Sequence, residues 1–188
     1  MNKRIAILAS GSGSNAENII CYFAENKKFE FPIIISNKEN AYVHQRAKKL
    51  GINSFTLELK NESDWLILRD IFIDKQIDYV ILAGFLLKIP PVILKFFPKK
   101  IINIHPALLP KFGGQGMYGN RVHQAVCAAC EIESGITIHY VTENYDEGDI
   151  IFQAKCAVLP TDTPEDIAQK VHQLEYEWFP KIIEKIWD

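Results

Sequence analysis

The chain has 188 residues, of which 48% are hydrophobic and 23% charged, enough for one domain with a sizeable core. A formal net charge of −2 and the lack of a long basic run argue against nucleic acid as the main partner. No apolar run reaches membrane-spanning length, and Met1 to Ile5 enters an apolar run with no signal peptide before it, so a cytoplasmic protein is expected.

Lys3 to Ala9 is a short continuous apolar run, as a buried parallel strand requires. Ser10-Gly11-Ser12-Gly13-Ser14-Asn15 follows, then a helical segment from about Ala16 to Asn26. Phe31 to Ser36 reads as a second strand, with a helix from about Ala41 to Leu50 ended by Gly51. Ile52 to Leu57 suits a short third strand, and Ser63-Asp64 can cap a helix running to about Lys75. Asp78 to Ala83 is the fourth strand; Gly84 to Ile89 leaves its end, and a short helix covers about Pro91 to Phe97. The run from Ile101 is the fifth strand, halted by Pro106, which has no N–H to continue a ladder.

Beyond Pro110 the pattern changes. Lys111 to Gly119 is a glycine-rich loop, and a helix is expected from about Arg121 to Glu131. Gly135 to Val141 and Ile150 to Val158 read as strands around an acidic loop, Thr142 to Asp149. Thr161-Asp162-Thr163-Pro164 opens a long amphipathic terminal helix. Alternating strands and helices imply a mostly parallel sheet with helices on both faces, and the last two strands an antiparallel C-terminal extension. One Rossmann-like α/β domain over residues 1–188 is expected.

The stretch with most chemical content is Asn103-Ile104-His105-Pro106. Residues two apart on a strand face the same way, roughly 6.5–7 Å apart. An amide and an imidazole then share the C-terminal end of a strand, where ligands bind in open α/β sheets. His105 can act as a general acid or base, or simply tie down a loop. His139 either faces the same interior or lies on a polar sheet face. His44, His123 and His172 fall in helical segments and are expected at the surface. Glu143, Asp146, Glu147 and Asp149 offer a carboxylate that would favour an imidazolium at His105, but spacing does not select one.

Strand, glycine turn and helix in that order make the loop after the first strand a candidate anion cradle. Gly11 to Ala16 also fits a dinucleotide pattern, although Ser36-Asn37-Lys38 lacks the acidic ribose ligand expected there. The lysine of a Walker loop is missing. Of the four cysteines, Cys21, Cys127, Cys130 and Cys156, only Cys127-Ala-Ala-Cys130 has zinc or redox spacing. Nothing completes a zinc site, so two small helix residues are the simpler reading.

With these pieces assembled, the chain resembles the folate-dependent phosphoribosylglycinamide formyltransferase family. The resemblance rests on Gly11-Ser12-Gly13-Ser14-Asn15, Leu82-Ala83-Gly84-Phe85, Asn103 to Pro110, Gly135 to His139, Asp146-Glu147-Gly148 and His172-Gln173-Leu174-Glu175, in family order from end to end. It implies transfer of the formyl group of 10-formyltetrahydrofolate, a co-substrate, to the amine of 5-phosphoribosylglycinamide, with no metal and only small-molecule partners. It implies a catalytic group of Asn103, His105 and Asp146, in which Asp146 raises the His105 pKa and orients its ring. Gly13, Ser14, Asn15 and Glu175 match ribonucleotide-binding positions. Leu86, Leu87, Lys88 and Ile89 match the segment lying against the folate, joined there by Asn103. Two features depart from the family pattern. Phe112 to Tyr118 is longer and richer in glycine, and Leu87 stands where many members carry a basic residue.

A methionyl-tRNA formyltransferase would be expected to add a C-terminal domain and a basic face, and a formyltetrahydrofolate hydrolase an N-terminal regulatory domain. A non-catalytic nucleotide-binding module is the alternative of a different class.

Overall fold

Residues 2–188 are described by a computed structural model, and the alternation of side chains along its first strand sets the architecture. In β1 (Lys3–Leu8), Ile5 and Ile7 join one hydrophobic cluster while Ala6 and Leu8 join another on the opposite face. A strand apolar on both faces needs cover on both. The cover comes from α1 (Ser14–Tyr22), α2 (Val43–Leu50), α5 (Asn120–Ala128) and α6 (Pro164–Trp187) on one side, and from α3 (Glu62–Asp74) and α4 (Pro91–Leu94) on the other. Phe179 anchors the first layer and Phe72 the second, both fully buried. Truncating either to alanine would cost about 3–5 kcal/mol.

The remaining strands are β2 (Phe29–Ser36), β3 (Ser54–Thr56), β4 (Tyr79–Leu82), β5 (Ile101–His105), β6 (Glu133–Tyr140) and β7 (Ile150–Ala157). They form one seven-stranded sheet in the order β3-β2-β1-β4-β5-β6-β7. The first five strands run parallel, and β6 and β7 extend the sheet antiparallel. This is the mixed α/β arrangement expected from the sequence. Chain progression reverses between β1 and β4, so the loops leaving their C-terminal ends diverge and open a crevice. No helix of the described residues is long and apolar enough to cross a membrane.

Local chemistry explains where the elements start and stop. The α6 helix begins with a capping box. Thr163 Oγ1 accepts from the Asp166 N–H, Asp166 accepts from the Thr163 N–H at 2.9 Å, and Pro164 fills the first turn. For α3 the cap is Asn61 rather than the expected Ser63-Asp64, because its Oδ1 reaches the Asp64 N–H at 3.0 Å. The α1 helix starts earlier and ends earlier than expected, because Gly13 in the left-handed region is already its N-cap. The α5 helix stops short of Glu131, with Cys130 at φ 50°.

Candidate active site

The crevice at the sheet reversal is a cavity of about 810 Å³. Loops from the ends of β1, β4 and β5 line it, joined by the glycine-rich loop, the acidic loop and one side of α6. It therefore brings together Gly13, Ser14, Asn15, Leu86, Leu87, Lys88, Ile89, Asn103, His105, Asp146 and Glu175.

At one end stands the N-terminus of α1. Gly13 has φ 72°, and a Cβ there would lie 2.4 Å from Val43 Cγ2 and 2.9 Å from the Val43 Cα, so only glycine fits. The loop is fixed from behind. The Val43 N–H donates to the Gly11 carbonyl at 3.2 Å, and Arg46 Nε donates to the Ser12 carbonyl at 2.9 Å while its guanidinium pairs with Glu17. The first-turn amides of α1 have no intrahelical acceptor and face the cavity, a ready anion site. Beside them, buried Glu175 uses one oxygen, Oε2, to accept from Asn15 Nδ2 at 3.0 Å and His172 Nδ1 at 2.9 Å. The Glu175 hydrogen bond raises the His172 pKa above its ordinary value against the opposing pull of burial. Ser10 Oγ donates to Asn37 Oδ1 at 2.6 Å. The end of β2 thus offers an occupied amide where a dinucleotide site would need a free carboxylate.

The middle of the cavity holds the polar group around His105. Asn103 pairs in register with His139 across β5 and β6. His139 Nδ1 donates to the Tyr140 carbonyl at 2.9 Å, so its Nε2 can accept from Asn103 Nδ2 at 3.1 Å. The second amide hydrogen of Asn103 remains free. Of the four acidic-loop carboxylates, Asp146 is the one turned inward, in a left-handed conformation at φ 58° that costs a non-glycine residue energy. Its Oδ2 lies 3.5 Å from His105 Nδ1, and its Oδ1 3.5 Å from His139 Nε2. The Gly114 N–H donates to Oδ2 at 2.8 Å. His105 Nε2 donates to the Phe112 carbonyl at 2.8 Å.

Burial pushes the Asp146 pKa up, but the neighbouring His139 and His105 rings and the Gly114 amide together hold it below the ordinary carboxylate value. Asp146 does pull the His105 pKa upward, as expected, but it does not decide the net direction. His105 is 3% exposed, and burial lowers its pKa more than Asp146 and the Phe112 carbonyl raise it. His105 is therefore neutral at rest. Both ring nitrogens nevertheless face acceptors, so protonation would give each a partner already in place.

The segment leaving β4 presents half-buried Leu86 and Leu87, exposed Lys88 and buried Ile89 to the cavity. The Leu86 N–H donates to Ser10 Oγ at 2.9 Å, so this amide points inward and is not free for a ligand. Buried Ser10 thus joins the starts of three loops, its hydroxyl meeting Asn37 and the Leu86 amide while its N–H donates to the Gly84 carbonyl.

Some features escaped the sequence reading. His123, expected at the surface, is buried in the cavity wall. His44 is half-buried and bonds Ser54 and Thr56. The glycine-rich loop is more than a rim, since Phe112 and Gly114 contact His105 and Asp146 through backbone groups that no side-chain pattern encodes. Among the described residues no group of three or more His, Cys, Asp or Glu is placed to hold a metal ion.

Comparison with known proteins adds to this geometry. A family model described as Formyl transferase matches residues 3–183. The chain is 37% identical over 187 residues to a chloroplastic phosphoribosylglycinamide formyltransferase of Arabidopsis thaliana, covering 96% of this chain and 64% of that protein. It is 35% identical over 189 residues to the phosphoribosylglycinamide formyltransferase of Bacillus subtilis, covering 98% of this chain and 94% of that one. A relative in Vigna unguiculata is matched over 61% of its length, so the chain spans less than two thirds of these plant relatives. The solved phosphoribosylglycinamide formyltransferase of Streptococcus pneumoniae superposes with a TM-score of 0.87 at 33% identity, covering 100% of both chains.

Proposed function

As the chain belongs to the formyl transferase family, we propose that it transfers the formyl group of 10-formyltetrahydrofolate to the amine of 5-phosphoribosylglycinamide. The products are the N-formyl ribonucleotide and tetrahydrofolate, a step of purine synthesis. The observation that carries this reading is one cavity with an anion cradle at one end and the Asn103–His105–Asp146 group further in.

The phosphate is held by the amides of Ser14 and Asn15, with Glu175 beside the sugar. The folate lies along Leu86 to Ile89 and Asn103. In the reaction a C–N bond forms between amine and formyl carbon, and the bond from that carbon to the folate nitrogen breaks. Negative charge gathers on the formyl oxygen in between, where the free amide hydrogen of Asn103 can meet it. Loss of one such donor typically costs about 3–4 kcal/mol of transition-state stabilisation. The amine sheds a proton while the folate nitrogen gains one. Neutral His105, with Nε2–H engaged by Phe112, has Nδ1 as its basic nitrogen. A proton arriving there, directly or through water, makes both ring nitrogens donors to waiting acceptors. Asp146 holds that cation.

The whole of residues 1–188 acts as one catalytic unit in this reading, with small-molecule partners only. The reaction is assigned to the cytoplasm, and no metal is called on. The test is incubation with 10-formyltetrahydrofolate, with and without the ribonucleotide. Tetrahydrofolate released only with the amine present supports transfer. Release without it makes the protein a hydrolase, and no release with either overturns the proposal.

A further inference from the structure

The reaction above leaves one buried titratable group of the cavity wall without a part. His123 lies in the first half of α5 and is 2% exposed. Its Nδ1 is buried with no hydrogen-bond partner, uncommon for a polar atom inside a protein. Its ring faces that of His172, centroids 6.3 Å apart at 73°. His172 in turn shares one oxygen of Glu175 with Asn15, the second residue of α1. His123 is therefore connected, through one neighbour and one shared carboxylate, to the helix end that would receive a phosphate. Asn15 Oδ1, also buried and unpartnered, lies at the same end.

The charge around that helix end is the second consideration. A phosphomonoester carries close to two negative charges near neutral pH, and the fixed cations around the cavity are few. Arg46 is paired with Glu17. Arg121, on the same helix as His123, lies over the Tyr118 ring. Lys88 sits on the segment leaving β4. From α6, Glu175 faces the two imidazoles and Glu165 bonds Asn120. From β5 comes His105, from β6 His139, and from the acidic loop Asp146, which both of these histidines share.

We propose, resting on the ribonucleotide reading above, that His123 is a specificity residue for the phosphate. It is neutral in the ligand-free cavity and takes up one proton when a phosphomonoester dianion seats at the α1 N-terminus. The proton comes from solvent by way of half-exposed His172 and resides on the His123 ring while the ligand stays. His172 is the lesser acceptor because Glu175 already favours its charged form. His123 has the capacity to gain, since burial first and the neighbouring His172 second both hold it uncharged.

The test is calorimetric titration of the wild-type protein with 5-phosphoribosylglycinamide in two buffers of different ionisation enthalpy. The unphosphorylated ribosylglycinamide serves as comparison. The wild type should take up a proton with the phosphorylated ligand only. Its affinity should fall as pH rises from 7, by up to about tenfold per pH unit between the free-state and bound-state pKa of His123, and level off once the bound-state pKa is passed. His123→Gln should lose that slope and most of the preference for the phosphorylated ligand. Uptake that persists in His123→Gln and vanishes in His172→Gln assigns the proton to His172 and overturns the proposal. In wild-type protein, the His123 Cε1–H resonance should titrate at higher pH with ribonucleotide bound, and a titration that does not move also overturns it. Failure of the wild type to bind the ribonucleotide at all overturns the functional reading instead.

Discussion

Replacing Asp146 by asparagine tests the link between the carboxylate and His105 most directly. Asparagine keeps the size of the side chain and an oxygen for the Gly114 N–H, and removes only the charge. At the observed 3.5 Å between Asp146 Oδ2 and His105 Nδ1, an effective dielectric of ~20 gives an attraction of about 5 kcal/mol for the imidazolium, an upper bound. Close carboxylate partners shift a pKa by about 1–3 units. With the two side chains only 4% and 11% exposed, solvent screens little of this. His105 is already depressed by burial, so Asp146→Asn should move its titration lower still, by about 1–3 units. At 1.36 kcal/mol per unit, kcat should fall about 10- to 1000-fold if the imidazolium forms during turnover. NMR titration of the His105 Cε1–H and the pH dependence of kcat read the two effects separately. A His105 pKa that stays put or rises in the variant would refute the reasoning.

Gly13→Val should destabilise the fold by about 1–3 kcal/mol through overpacking against Val43 and weaken ribonucleotide binding more than folate binding. Equal affinity for the phosphorylated substrate, read by calorimetry, would move the cradle elsewhere. Thermal stability should fall as pH drops from 7.5 to 5.5. His105 and His123 have folded pKa values below their unfolded value of ~6.5, so the unfolded chain binds more protons in that window and stability rises with pH. His172, whose pKa is raised, works the other way: its contribution is complete below ~6.5 and fades as pH climbs through its folded value. Calorimetric scans showing a Tm that rises on acidification would contradict this balance. Thr163→Ala should remove the α6 capping box at a cost of about 1 kcal/mol, lowering Tm by roughly 2–4 °C. A wild-type Tm would mean that the box contributes nothing.

The sheet was legible because its strands are short apolar runs set between glycine turns and helical stretches, and both faces are covered. Asn103 and His105 were legible for the same reason, since a two-residue spacing on a strand fixes a common side. Asp146 could not be told from Glu143, Glu147 and Asp149 by spacing, because its inward turn depends on a left-handed backbone and a Gly114 amide brought in from another loop. His123 was misjudged because a helix face reads as buried only once its neighbour is known, and that neighbour is α6, more than forty residues later. The sign of the His105 shift was out of reach for a similar reason. A sequence can suggest a carboxylate partner, whereas the opposing desolvation exists only after the chain has packed.

Ser10 acts as a gauge pin. The hydroxyl that receives the Leu86 amide and meets Asn37 sits on the same short turn that leads into Gly13. The spacing between the two halves of the crevice is therefore fixed by adjacent strands and main-chain anchoring, independent of the side chains on the rim. Redesign at Leu87 or along Gln115 to Tyr118 can change which molecules the crevice admits while the distance between its two ends stays constant.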